Sequence, residues 1–98
     1  MVINQNKEGN VLNIALEGRL DTMTSPQLEA VLNEQLNGVT EVRFDFAKLE
    51  YISSAGLRVL LSTQKTMDKQ GKMELSNVCE EIMEVFNITG FSEFLTIV

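Results

Sequence analysis

Side chains able to do chemistry are few in this chain. Its 98 residues contain no histidine, which excludes Ser-His-Asp and Cys-His catalysis and His-containing metal sites. A single cysteine, Cys79, can form neither an internal disulfide nor a thiolate cluster. What remains is the segment Tyr51-Ile52-Ser53-Ser54-Ala55-Gly56-Leu57-Arg58-Val59-Leu60, with two adjacent hydroxyls where a strand hands over to a helix. A nucleophilic Ser54 would need a lysine as its base, and neither Lys48 nor Lys65 has an evident place beside it. The chemistry that suits the pair is that of a phosphoryl acceptor.

A helix N-terminus presents unpaired N–H groups and about half a positive charge, so an anion is tolerated there. A serine phosphorylated at that point would carry about two negative charges near donors that welcome them. Serine is equally a favoured N-cap, and either role accounts for a serine before a helix. Gly56, inside the first turn, costs about 1 kcal/mol of helix propensity against alanine. Its presence there points to a close approach to the backbone, and so to a contact surface.

The elements that must position these residues follow from periodicity. Val2-Ile3-Asn4-Gln5 and Val11–Gly18 read as an antiparallel hairpin across Glu8-Gly9-Asn10. Ser25-Pro26 announces a helix, with Ser25 as cap, Pro26 at the first helical position and a stripe of Leu28, Val31, Leu32 and Leu36. Asn37-Gly38 stops it. Glu41–Phe46 alternates as a strand. A helix then runs from Ser53 or Ser54 to about Gly71, its stripe being Leu57, Leu60, Leu61 and Met67. Met73–Ser76 is a short strand, Cys79–Ile88 a helix with Ile82, Val85 and Phe86 inward, and Phe94–Val98 a closing strand. The order β-β-α-β-α-β-α-β implies an α/β fold. It is a single domain over 1–98, with a mixed sheet, helices packed mainly on one face and right-handed crossovers.

Eight Lys and Arg against 14 Asp and Glu leave a formal charge of −6. So acidic a chain is poorly suited to gripping phosphate backbones, and an anionic membrane repels it. No apolar run reaches the ~20 residues that span a bilayer, and no signal peptide opens the chain. The expectation is a cytoplasmic protein with no nucleic-acid partner and no direct membrane insertion.

Asp45-Phe46-Ala47-Lys48-Leu49-Glu50-Tyr51-Ile52-Ser53-Ser54-Ala55-Gly56-Leu57 resembles the signature of STAS domains, found in sulfate transporters and anti-sigma factor antagonists. In that family a strand ending in Asp leads through a short loop to Asp-Ser-Ser/Ala-Gly-Leu at a helix start. Gly18-Arg19-Leu20-Asp21 resembles its second marker, and the resemblance covers essentially the whole chain.

The resemblance implies a binding module rather than an enzyme, with no cofactor. Its implied partners are an anti-sigma factor that is also a serine kinase of the histidine-kinase-like ATPase fold, and a PP2C-type phosphatase. Unphosphorylated, the module would hold the anti-sigma factor and free a sigma factor. Alignment on Gly56 places the family's phosphorylated serine at Ser54. The implied contact surface comprises Asp21, Thr22, Met23, Ser53, Ser54, Gly56, Leu57 and Arg58. One departure stands out: Ser53 replaces the family's frequent Asp before the switch serine and brings a second hydroxyl without its charge. Asp21 is retained as an acidic neighbour.

Other residues have plainer readings beside the functional ones. Asp45 is either a functional carboxylate or a strand-end residue bonding local N–H groups. Asp21-Thr22 either binds a partner or shapes the turn before the first helix. Methionines commonly fill cores, but Met23, in a loop beside Asp21, can pack on a partner. Cys79 is either a thiol whose pKa is lowered at a helix start or a small buried hydrophobe, and Glu80, Glu81 and Glu84 read as a solvated face suited to the helix dipole. The alternative to a phosphorylation switch is a STAS subunit of a membrane transport complex of the lipid-trafficking ABC type. It would dock the same helix face on an ATPase subunit.

Overall fold

The computed structural model describes residues 1–98. β1 (Val2–Glu8) and β2 (Val11–Leu20) form the expected antiparallel hairpin. Gly9, at φ +60, takes the first of its two turn positions, a conformation that side chains with a Cβ resist. Then follow α1 (Ser25–Gln35), β3 (Glu41–Ile52), α2 (Ser54–Gln70), β4 (Lys72–Ser76) and α3 (Glu80–Thr89). The sheet order is β1-β2-β3-β4, and both β2–β3 and β3–β4 are parallel, because α1 and α2 carry the chain back between them. The sheet is therefore mixed, as expected.

One face of the sheet carries the core. Leu12, Ile14 and Leu16 of β2 and Val42, Phe44 and Phe46 of β3 point inward against Leu28 and Leu32 of α1, Leu60 and Met67 of α2, and Ile82 and Phe86 of α3. Burial contributes about 1.5–3 kcal/mol for each large side chain, so these residues dominate cohesion. Along the opposite face Asn4, Asn6, Asn13, Ala15, Arg43 and Asp45 line a shallow open depression. The helices thus cover one face. Val31, Leu36, Leu61 and Val85, expected within the helical stripes, are only half-buried at their margins.

Three local expectations change. Ser25 is not the cap of α1: Thr24 precedes the helix, while buried Ser25 turns its hydroxyl back to donate to the Asp21 carbonyl at 2.6 Å. The short loop expected after Asp45 is not a loop. β3 continues to Ile52, and its pairing with β2 slips twice: Ala15 and Glu17 face Asp45 and Lys48, then Gly18 and Arg19 face Leu49 and Tyr51. Each slip adds one residue to β3, so inward side chains fall three apart, at Phe46, Leu49 and Ile52, rather than two. Gly18, at φ +98, sits at the second slip. The closing strand is at its expected place in the chain order, but reduced to one parallel bridge between Ile97 and Leu75. The Leu75 N–H donates to the Thr96 carbonyl and the Val98 N–H to that of Leu75, each at 2.9 Å, and the 3-10 turn Phe91–Glu93 takes up the preceding chain.

Candidate docking and switch site

The parallel strands β2 and β3 end side by side, with Leu20 opposite Ile52. One bond beyond, the Ser53 N–H donates to the Leu20 carbonyl at 2.9 Å. Two segments therefore leave the sheet from adjacent points: the Asp21–Thr24 turn into α1 and the Ser53–Ser54 step into α2.

Of the two roles left open by the sequence, Ser53 takes that of the helix cap. Ser53, in extended conformation at φ −101 and ψ 176, is the N-cap. Its hydroxyl accepts from the Gly56 N–H at 3.5 Å and its carbonyl from the Leu57 N–H at 3.0 Å. Ser54 is the first helical residue, exposed, and no hydrogen bond within the chain engages its hydroxyl. The first turn of α2 holds no acidic side chain, so its partial positive charge has no counter-charge on the helix itself.

Gly56 is buried, and the close approach it permits is internal. A Cβ there would lie 2.8 Å from Leu20 Cγ and 2.9 Å from Ile52 Cγ1. Gly56 therefore seats α2 on the strand ends and offers a partner no surface. The same holds for Leu57, which is only 6% exposed. These two are corrections to the contact surface read from the sequence.

Asp21 organises the other segment. Its Oδ1 accepts from the Met23 N–H at 3.0 Å and the Thr24 N–H at 3.1 Å, while its own N–H donates to Thr24 Oγ1 at 2.9 Å. The Thr24 hydroxyl in turn donates to the Arg19 carbonyl at 2.7 Å. The Thr24 N–H, followed by that of Met23, the Thr24 hydroxyl and the charge of Arg19, holds the Asp21 carboxyl below its usual range against a partial desolvation. Arg19 lies 3.7 Å from Asp21 Oδ2, and its guanidinium stacks 4.1 Å from the Tyr51 ring centroid on the neighbouring strand. Asp21 is thus committed to shaping the turn.

That turn projects Thr22 and Met23, and Met23 is 82% exposed. Thr22 and Arg58 line a common groove of about 350 Å³ between α1 and α2, together with Pro26, Glu29, Ala55 and Ser62. The last four were not read from the sequence as part of a contact surface, although 58 and 62 share a helix face at four-residue spacing. The structure therefore brings Thr22, Met23, Ser54 and Arg58 to the surface around one end of the sheet, with Asp21 and Ser53 bracing them.

Asp45 lies apart from this end. It accepts from the Ala47 N–H at 2.9 Å and Asn77 Nδ2 at 3.0 Å, which ties β3 to the turn after β4. The Asn77 amide, then the Ala47 N–H, lowers its pKa. Cys79 is the half-buried N-cap of α3, with no capping bond from its side chain. No three His, Cys, Asp or Glu side chains gather closely enough to hold a metal ion. No helix is long and apolar enough to cross a membrane.

A family model, STAS domain, matches residues 3–98, which takes in every element described above save the first residue of β1. The chain belongs to the STAS domain family. Among relatives of this STAS domain is a Bordetella bronchiseptica protein, BtrV, assigned as an anti-sigma factor antagonist. It is 38% identical over 93 residues, which are 93% of this chain and 80% of the relative. The anti-sigma-B factor antagonist of Bacillus subtilis is 30% identical over 97% of this chain and 86% of its own length. Solved STAS structures share the fold at lower identity. The phosphorylated form of the Bacillus cell fate determinant SpoIIAA superposes with a TM-score of 0.78 at 20% identity, over 99% of this chain and 91% of that one. An anti-sigma factor antagonist from Mycobacterium paratuberculosis gives 0.87 at 18% identity, over 98% of this chain and 83% of that one.

Proposed function

We propose that this STAS domain is an anti-sigma factor antagonist whose binding is switched off by phosphorylation of Ser54. In this reading the unmodified domain holds an anti-sigma factor that is also a serine kinase of the histidine-kinase-like ATPase fold, which releases a sigma factor. A PP2C-type phosphatase resets it. The relatives named as antagonists support the class of partner. The observation that carries the switch is the division of labour between the serines: Ser53 caps α2, which leaves the Ser54 hydroxyl exposed and unengaged.

The docking surface is the projecting Thr22-Met23 pair, Ser54 and Arg58, with Asp21, Ser53, Gly56 and Leu57 holding them in place. A phosphate on Ser54 adds bulk and a dianion at the centre of that surface, with a desolvation cost and repulsion of any acidic partner group. Local electrostatics suffices for release, and the fold need not move. Affinity purification from the native host, with phosphosite mapping and identification of co-purified proteins, tests both parts. A phosphate on Ser54 and an ATPase-fold kinase in the eluate are the expected result. An unmodified Ser54 with transporter subunits would overturn it and move the domain to a membrane transport complex.

A further inference from the structure

β1 is an edge strand, with Lys7 and Glu8 as its only charged side chains. It pairs without slip or bulge to β2, contains no proline, and no other strand or helix covers its far side. Across a two-residue hairpin the residues flanking the turn, Glu8 and Val11, exchange both backbone bonds. Alternating from there, Asn6, Asn4 and Val2 bond to β2, while Lys7, Gln5 and Ile3 turn their N–H and C=O groups outward. Lys7, the cation that would defend this edge, is drawn aside: its Nζ donates to the Gln35 carbonyl at the end of α1, at 3.4 Å.

We infer that β1 is a docking edge for a second copy of this chain, paired antiparallel about a two-fold axis at Gln5. The strand is self-complementary in that register. Gln5 faces its own copy, Ile3 faces Lys7, Asn4 faces Asn6 and Val2 faces Glu8, so no two like charges oppose each other. The outward residues Ile3, Gln5 and Lys7 meet in that register as bond-exchanging pairs, which satisfies every unpaired edge group between them. Ile3 already leans on the core, and the stem of the partner copy's lysine extends that apolar contact. The product is a continuous eight-stranded sheet with all helices on one face. Because the two copies run antiparallel, their Ser54-bearing ends lie at opposite extremes and both stay accessible.

Sedimentation equilibrium of the full chain up to the millimolar range tests this. The expected result is a concentration-dependent dimer, strengthened by salt because each copy carries a charge of −6. Gln5→Pro removes an outward N–H but no bond to β2, and is expected to leave a folded monomer. A wild-type chain that stays monomeric throughout overturns the inference, as does a dimer that survives in folded Gln5→Pro. Should that variant not fold, amide exchange on the wild type decides. Protection of Ile3, Gln5 and Lys7 that rises with concentration supports the edge, and unchanged exchange overturns it.

Discussion

Asp21 and Thr24 cap each other. The Thr24 N–H donates to Asp21 Oδ1 at 3.1 Å, and the Asp21 N–H donates to Thr24 Oγ1 at 2.9 Å. This is the reciprocal arrangement of a capping box, set one turn ahead of the helical residues themselves. It explains how a four-residue turn can hold Met23 out in solvent without fraying. Asp21→Ala is expected to lower the melting temperature by a few degrees and to weaken partner binding together with it. Thr24→Ala is expected to do the same by removing the other half of the box. Thermal unfolding alongside a binding titration checks both, and binding that survives a loosened turn would show that the turn does not present the partner surface.

Under the proposed function, the serine pair would separate stability from switching. Ser53→Ala removes a cap whose bond is long, so the expected cost is about 0.5 kcal/mol, the low end for such caps. Ser54→Ala removes no internal bond and is expected to change stability by less than about 0.5 kcal/mol. Ser54→Asp is expected to fold normally and to lose roughly 30- to 150-fold in partner affinity, equivalent to about 2–3 kcal/mol. Calorimetric titration of the isolated anti-sigma factor reads the effect. Unchanged affinity for Ser54→Asp would count against the switch.

Gly56→Ala gains about 1 kcal/mol of helix propensity and still destabilises. The new methyl meets Leu20 Cγ and Ile52 Cγ1 below 3.0 Å, and neither is the free end of a flexible chain. Overpacking of this kind costs about 1–3 kcal/mol, so after the propensity gain the expected net loss is at most about 2 kcal/mol. Urea denaturation gives the answer, and a stabilised variant would mean that α2 can slide on the strand ends.

Acid should loosen the fold at two carboxylates. Asp21 and Asp45 both have folded pKa values below the reference value of 3.8, held down first by the Thr24 N–H and by the Asn77 amide respectively. A depressed folded pKa means that the unfolded chain binds protons first as pH falls. Their contributions are therefore complete well above pH 3.8 and are lost as pH drops through and below it. Asp45→Asn keeps an oxygen to accept both bonds but cannot titrate, so its melting temperature should fall less steeply with acid than that of the native chain.

Met23→Ala is expected to leave stability within about 0.5 kcal/mol, because an exposed side chain gives up little packing, yet to reduce partner affinity. Equal affinity for the two proteins would exclude Met23 from the interface.

The fold was legible wherever period and face agreed. Leu12, Ile14 and Leu16 alternate, and Leu28 and Leu32 recur at helical spacing, so those elements could be drawn from the residues. After Phe46 the inward positions of β3 come every third residue, and a strand with that spacing reads as a loop. The bulges are set by pairing with β2, which no local window contains. The capping roles failed for a related reason. Ser25-Pro26 has the composition of a helix start, but the Ser25 hydroxyl is drawn back to the Asp21 carbonyl, and the Gln27 and Leu28 N–H groups go to the Thr24 carbonyl. Ser54, Met23 and Arg58, read from the motifs as surface residues, are exposed. Gly56 and Leu57 were misassigned to the surface, because a glycine that admits a neighbour does not reveal whether the neighbour is foreign.

Leu20 does three jobs at once: it adjoins Asp21 in the chain, takes the Ser53 N–H on its carbonyl, and fills the space that Gly56 leaves open. The projecting turn and the start of α2 are therefore hung from a single buried hinge-pin with no slack between them. A receptor built that way spends little ordering entropy when it is occupied. It also cannot relieve a crowded or repelled ligand by yielding. Under the proposed function, modification of Ser54 would then read out in the lifetime of the complex rather than in any rearrangement of the domain.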